Sequence, residues 1–141
     1  MTYQIKEIKA GNEMAARYEL FAQLNPSVPK NDYVRMLKDM CSQGYRMIGI
    51  FDKDVCMGIS GFWIGTKLYC GKYLEPDNVV IDKDHRSKGV GKILMDWLEE
   101  EAKRNDCSMV MLDAYLENIP GHRFYYREGY VARGFHFIKK I

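Results

Sequence analysis

The chain has 141 residues, 47% of them apolar, and a formal net charge of +2. That length suits a single domain over 1–141. The apolar content excludes wholesale disorder, and the near-neutral charge excludes a nucleic-acid partner recruited by charge alone. The strongest candidate for a membrane span, 55–65, is too short and carries Ser60 and three glycines, so no membrane association is expected. The N-terminal Met1-Thr2-Tyr3-Gln4-Ile5-Lys6 lacks the apolar region of a signal peptide. Cys41, Cys56, Cys70 and Cys107 show no Cys-x-x-Cys spacing. A cytoplasmic protein with reduced, packed cysteines and no metal is the expectation.

In chain order, 2–8 alternates like a strand, and 13–24 has helical spacing through Met14, Tyr18, Phe21 and Ala22. Asn25-Pro26 stops that helix. A second helix is predicted over 32–41, with Tyr33, Met36, Leu37 and Met40 on one face and Gly44 as its cap. Strands follow over 45–51 and 55–64, joined by a turn at Asp52-Lys53-Asp54. Two further strands, 68–73 and 78–81, are separated by Glu75-Pro76-Asp77, where proline should disturb pairing. The clearest helix is 90–104, with an apolar stripe of Val90, Ile93, Leu94, Trp97 and Leu98. A short central strand at 109–112, a helix at 120–128 ended by Gly129, and a last strand at 130–138 complete the pattern. Such an order implies an α/β chain of the α+β kind, with a mixed, mostly antiparallel sheet and helices on both faces.

The most informative segment runs from Val79-Val80-Ile81 through Arg86-Ser87-Lys88-Gly89-Val90-Gly91-Lys92. An apolar strand enters a loop with two glycines and then an amphipathic helix. The first turn of a helix has unpaired N–H groups and a partial positive charge, and glycine lets those groups approach an anion closely. Arg86, Lys88 and Lys92 add positive charge. The physical reading is a diphosphate cradle; a glycine turn that merely starts a helix has the same outline. A P-loop is excluded by Arg86 and Ile93, and a dinucleotide fingerprint by Leu94.

Arg86-x-x-Gly89-x-Gly91 resembles the Arg/Gln-x-x-Gly-x-Gly/Ala signature of the GCN5-related N-acetyltransferases (the GNAT superfamily). That resemblance implies the acyl-CoA N-acyltransferase fold. It also implies that Val79, Val80 and Ile81 face the pantetheine arm of acetyl-CoA, and that Ser87, Lys88, Gly89, Val90, Gly91 and Lys92 surround its diphosphate. Asn118-Ile119-Pro120-Gly121-His122-Arg123-Phe124-Tyr125-Tyr126-Arg127-Glu128-Gly129-Tyr130 is similar to the family's second segment, with Gly121 in place of alanine and Tyr130 in place of phenylalanine. Asn118 suits an N-cap before Pro120, and family members also use it on the CoA arm. Tyr125 stands where the family keeps its general acid. The departing thiolate has a pKa of about 8.5 by analogy with cysteine, so a hydroxyl donor is chemically apt. The neighbouring Tyr126 is the weaker candidate because successive helical residues diverge by about 100°. Phe124 and Tyr130 read as packing. The resemblance covers roughly residues 45–138.

A lysine-like acceptor has a pKa of about 10.4, and neutralising it near neutral pH costs roughly 4 kcal/mol. Glu75 resembles the base of the family's histone-modifying branch in position. Asp77, Asp113 and water are the alternatives, and His85 and His122 read as surface or supporting groups. The expectation is direct acetyl transfer from acetyl-CoA, as co-substrate, to a small-molecule or peptide amine. A non-catalytic acyl-CoA sensor is the competing reading. The acceptor is expected to be chosen by the first 45 residues, through Tyr18, Phe21, Tyr33 and the loop 26–30, and a homodimer through Phe135 and Phe137 is permitted.

Overall fold

Four strands run antiparallel in the computed structural model, which describes residues 2–141 and leaves Met1, the first residue of the N-terminal stretch read above, outside. They are β1 (Gln4–Ile8), β2 (Arg46–Asp52), β3 (Val55–Lys67) and β4 (Gly71–Ile81). A short β5 (Met109–Val110) pairs with β4 in parallel, giving the order β1-β2-β3-β4-β5. Helices α1 (Asn12–Ala15), α2 (Tyr18–Leu24), α3 (Lys30–Ser42) and α4 (Val90–Arg104) complete a unit that ends at Met111. Residues 112–141 form a second unit, whose one helix among the described residues is α5 (Ile119–Arg127).

Within the first unit, the period of two in each strand assigns the faces. Tyr45, Met47 and Ile59 join Met14, Phe21, Tyr33 and Leu37 in one buried cluster, so α1, α2 and α3 cover that face. Arg46 and Phe62 turn the other way: Phe62 packs edge-on against Trp97 of α4, and Arg46 reaches Glu101 of α4. Val90, Leu94 and Leu98 are buried there, whereas Ile93 is exposed and falls outside the expected stripe. No helix among the described residues is long and apolar enough to cross a membrane.

Several elements differ from the sequence expectation for identifiable reasons. The first helix is two helices, because the Met14 carbonyl accepts from the Arg17 N–H at 3.0 Å and from the Tyr33 hydroxyl at 2.7 Å. Glu75-Pro76 does not interrupt pairing: Trp63↔Glu75 and Phe62↔Pro76 are in register within one continuous β4. Lys72 and Leu74 turn their carbonyls to the Ser108 and Met111 amides, so alternation points the ring nitrogen of Pro76 away from β3, where no donor is needed. The irregularity lies just beyond, opposite the shift between Ile59 and Gly61, where Asn78 adopts a φ of 61°. β5 is an edge strand rather than a central one. Residues 130–141 form no strand ladder. All four cysteines are free, and half-buried rather than fully enclosed.

The cap of α3 follows the expectation and bears on what comes next. Gly44 has a φ of 102°, and the Gly44 and Tyr45 amides donate to the carbonyls of Cys41 and Met40 at 3.2 and 3.1 Å. This double bond pattern ends the helix and turns Tyr45 inward. Opposite it, a Cβ on Gly61 would overlap the hydroxyl end of Tyr45. Tyr45 is buried, and its hydroxyl accepts a hydrogen bond from Asn78 Nδ2 at 3.1 Å, so the ring has little room to move. Gly61→Ala should therefore destabilise the fold by about 1–3 kcal/mol through overpacking. Urea denaturation checks this, and an unchanged midpoint would show that Tyr45 moves aside freely.

Candidate active site

β4 leads directly into the glycine loop. The Asp82 N–H donates to the Met57 carbonyl at 2.8 Å, across to β3. Alternation then turns the N–H and C=O of Ile81 and Val79 away from β3, while those of Val80 face it. The outward peptide groups therefore belong to Val79 and Ile81, and the Val80 side chain is buried in the core. Arg86 donates from Nε to the Ile81 carbonyl at 3.3 Å, which draws its guanidinium back along the strand.

After a single 3₁₀ turn over Lys83–His85, Ser87 has a φ of 63° and Gly89 a φ of 76°. Gly89 is the N-cap residue of α4, and no side chain caps that end. The Ile93 N–H returns to the Gly89 carbonyl at 3.3 Å, so the amides before it are the ones the helix cannot pair itself. Arg86, Ser87, Lys88 and Lys92 are exposed around this turn, with Lys92 paired to Asp96 at 3.2 Å. The loop is tied to α2 through Gln23. Its amide donates to Asp82 Oδ1 at 2.9 Å and its oxygen accepts from the Lys83 N–H at 3.0 Å. Asp82 also faces His85 Nδ1 at 2.8 Å. The hydrogen bond from Gln23, helped by His85, holds the Asp82 carboxyl below the usual carboxylate range. His85 is thus a loop brace.

A hollow of about 240 Å³ lies between the helices and the α1–α3 face of the sheet. Phe21, Val28 and Tyr33 line it from the helical side, and Asp77 and Asn78 from β4. The Tyr18 hydroxyl donates to the Val28 carbonyl at 2.6 Å and pins the loop before α3. Phe21, Val28 and Tyr33 are among the residues the sequence nominated for acceptor choice, whereas Tyr18 does not line the hollow and Pro26, Ser27, Pro29 and Lys30 are exposed. Asp77 accepts from Trp63 Nε1 at 3.0 Å, which fixes its carboxylate. Glu75 is half-buried two residues earlier, on the same face by the strand period, but it does not line the hollow. A larger hollow of about 400 Å³ beside Glu7–Ala10 touches neither β4 nor the glycine loop, so the smaller one is the candidate site. Tyr45, Trp63 and Asn78 were not singled out by sequence. The available signal was Asn78 after Pro-Asp, since asparagine tolerates a positive φ.

In the second unit, Asn118 caps α5 by accepting from the Gly121 N–H at 3.1 Å, with Pro120 in the first turn. His122 Nε2 lies 2.8 Å from the Tyr115 carbonyl. Tyr125 is half-buried and packs edge-on between Phe124 and Tyr130, at centroid distances of 5.3 and 5.7 Å. Burial pushes its hydroxyl pKa above the usual tyrosine value. Tyr126 is exposed. Asp113 is exposed and lies 3.4 Å from His136.

The model of the acetyltransferase (GNAT) family matches residues 14–130. The chain belongs to that family. N-acetyl transfer is the activity that membership brings. The GNAT chain is 24% identical over 140 residues to the uncharacterized N-acetyltransferase YhdJ of Bacillus subtilis, covering 97% of this chain and 98% of the relative. It is 26% identical over 125 residues to glucosamine 6-phosphate N-acetyltransferase of Arabidopsis thaliana, covering 83% and 84%. Among solved structures it shares its fold with AAC(6')-Iy in complex with the bisubstrate analogue CoA-S-monomethyl-acetylneamine. The TM-score there is 0.83, with 15% identity over 100% of both chains.

Proposed function

We propose that this protein uses acetyl-CoA as co-substrate and transfers the acetyl group directly to an amine within a ternary complex. The reading also takes the two units as one catalytic domain. The observation that carries it is the run from the outward amides of Val79 and Ile81 into the uncapped, left-handed start of α4 at Gly89. The strand edge supplies hydrogen bonds of the kind an extended pantetheine arm needs, and the helix start supplies donors for a diphosphate. The amides of Ser87 to Lys92 hold the diphosphate, with Arg86 and Lys88 adding positive charge. Asn118 contacts the CoA arm.

The chemistry follows from those positions. A β4 amide polarises the thioester carbonyl. The amine attacks, and the tetrahedral oxyanion is held by the same donor. A carboxylate of β4 takes the amine's proton. Glu75 resembles in position the base of the family's histone-modifying branch, and Asp77 lines the hollow. Tyr125 donates its proton to the departing sulfur. The bound co-substrate supplies the activated acetyl group, and everything else is positioning and proton transfer by this chain.

Thermal unfolding with added acetyl-CoA tests the reading without knowledge of the acceptor. At about 100 times the dissociation constant, linkage gives roughly 2.7 kcal/mol of stabilisation. The expected result is a rise of roughly 5 °C or more in Tm with acetyl-CoA and CoA, but not with ATP or NAD. No rise at saturation would return the loop to an ordinary glycine turn.

A further inference from the structure

The hollow on the α1–α3 face has a chemistry that narrows the acceptor. Its walls are mostly apolar and rich in methionine, with Met36, Met40 and Met47 beside the aromatic rings, and Asn25 and Asn78 are its uncharged amide residues. None of its lining residues is lysine or arginine, and Asp77 is its single charged group. The polar atoms of both lining tyrosines are already engaged. The Tyr33 hydroxyl donates to the Met14 carbonyl at 2.7 Å, and the Tyr45 hydroxyl accepts from Asn78. Burial pushes the Tyr33 hydroxyl up to about 12, so it stays neutral and adds no second charge at working pH.

We infer, resting on the acetyltransferase reading above, that the acceptor is a small cationic monoamine with an apolar body and no phosphate or other anionic group. Asp77 receives the ammonium. Its carboxylate is oriented by Trp63 Nε1 and enters the hollow from β4, two residues before the outward amide of Val79. The charge on the ligand and the charge on the wall are complementary. A phosphorylated acceptor would have to bury a dianion against a carboxylate with no cation to pair it, which carries a heavy desolvation cost. The volume lies below the roughly 300–1,000 Å³ of sites for drug-sized ligands, so the body is small. Methionine side chains adapt to irregular apolar shapes, which suits an alkyl or aryl chain better than a hydroxyl-rich sugar.

The test is thiol release from acetyl-CoA with 2-phenylethylamine and hexylamine, compared with glucosamine 6-phosphate and 2-aminoethylphosphonate. The apolar monoamines should give kcat/KM values at least about tenfold above both phosphorylated amines. Equal or better use of either phosphorylated amine overturns the inference. So does the absence of turnover with every amine while acetyl-CoA still raises Tm, an outcome that leaves the co-substrate reading standing. No rise in Tm removes both readings together. Two variants add a readout that structural damage would not mimic. Asp77→Asn keeps an acceptor for Trp63, so the expected change is a higher KM for the monoamine with Tm held, and an unchanged KM overturns the role of Asp77. Met36→Lys places an ammonium at a rim position that is already 39% exposed. It should lower kcat/KM for the monoamines and narrow their advantage over the phosphorylated amines; an unchanged ratio overturns the placement.

Discussion

Tyr125→Phe is expected to lower kcat about a hundredfold while leaving the rise in Tm on adding acetyl-CoA intact. The substitution removes one hydroxyl and keeps the ring that packs edge-on against Phe124 and Tyr130, so α5 loses no packing. A positioned general acid contributes about 10²–10⁴ in rate. The low end applies because a thiolate of pKa about 8.5 is already a tolerable leaving group. Single-turnover and steady-state thiol release both check this. A kcat within threefold of the parent would assign Tyr125 to packing alone, and acetyl-CoA binding with no turnover in the parent protein would favour the sensor reading. The pH profile follows from the direction of the shift. Burial raises the Tyr125 pKa, so the acid stays protonated beyond the usual tyrosine range of about 10. The amine meanwhile loses its proton more readily as pH rises. Rate should therefore climb through pH 8 and 9 with no falling limb from Tyr125 in that window. A fall in kcat near pH 7 to 8 would contradict the assignment.

The parts of this molecule that sequence made legible are those governed by local periodicity and capping. α4 spans the 90–104 read from its apolar stripe, and the Gly44 and Asn118 caps stand where short-range chemistry put them. The signature Arg86-x-x-Gly89-x-Gly91 carried the family, because its glycine spacing reports backbone geometry rather than side-chain identity. What was illegible depends on partners distant in sequence. Nothing local says that Tyr33, 19 residues on, would take the Met14 carbonyl and divide the first helix. Nothing local says which way the nitrogen of Pro76 points, and that direction alone decides whether a proline breaks a strand. Phe135 and Phe137 alternate as a strand would, yet a strand needs a ladder, and the sequence cannot supply one. The hollow on the α1–α3 face is the same kind of case. Phe21, Val28 and Tyr33 of its wall were nominated, but Tyr45 and Asn78 meet across 33 residues through a bulge that the sequence does not announce.

Glu101→Ala should cost roughly 3 kcal/mol of stability, and the reason links the far end of α4 to its working end. Glu101 is buried in the last turns of α4, where it accepts from Arg46 at 2.8 Å and from Arg104 at 2.7 Å. Arg46 reaches across from β2 and also holds Glu7 at 2.7 Å, and its guanidinium lies 4.8 Å from the Phe62 centroid. Arg104 covers Trp97 at 5.2 Å. Removing one member of a buried ion pair costs roughly 3–5 kcal/mol because its partner is left uncompensated. The low end applies here, since Arg46 keeps Glu7 and Arg104 is half in water. Burial works against the charged carboxylate, but the hydrogen bonds from Arg104 and Arg46 outweigh it and set its pKa below the ordinary value. A depressed carboxylate contributes stability that is present above the ordinary glutamate pKa of about 4.3 and is lost as pH falls through the folded value. The parent should therefore lose stability faster than the variant as pH drops below that point, so the gap between them closes in acid. Urea midpoints measured at pH 7 and pH 4 test both parts. A loss under 1 kcal/mol at pH 7, or a gap that widens in acid, would mean the network is only surface decoration. Because Glu101 sits three turns from the amides at Gly89 to Lys92, the acetyl-CoA dissociation constant of the folded variant should be unchanged. Saturating acetyl-CoA should then restore most of the lost Tm by linkage. A weakened dissociation constant would instead show that docking of α4 on β2 tunes the loop at the start of α4.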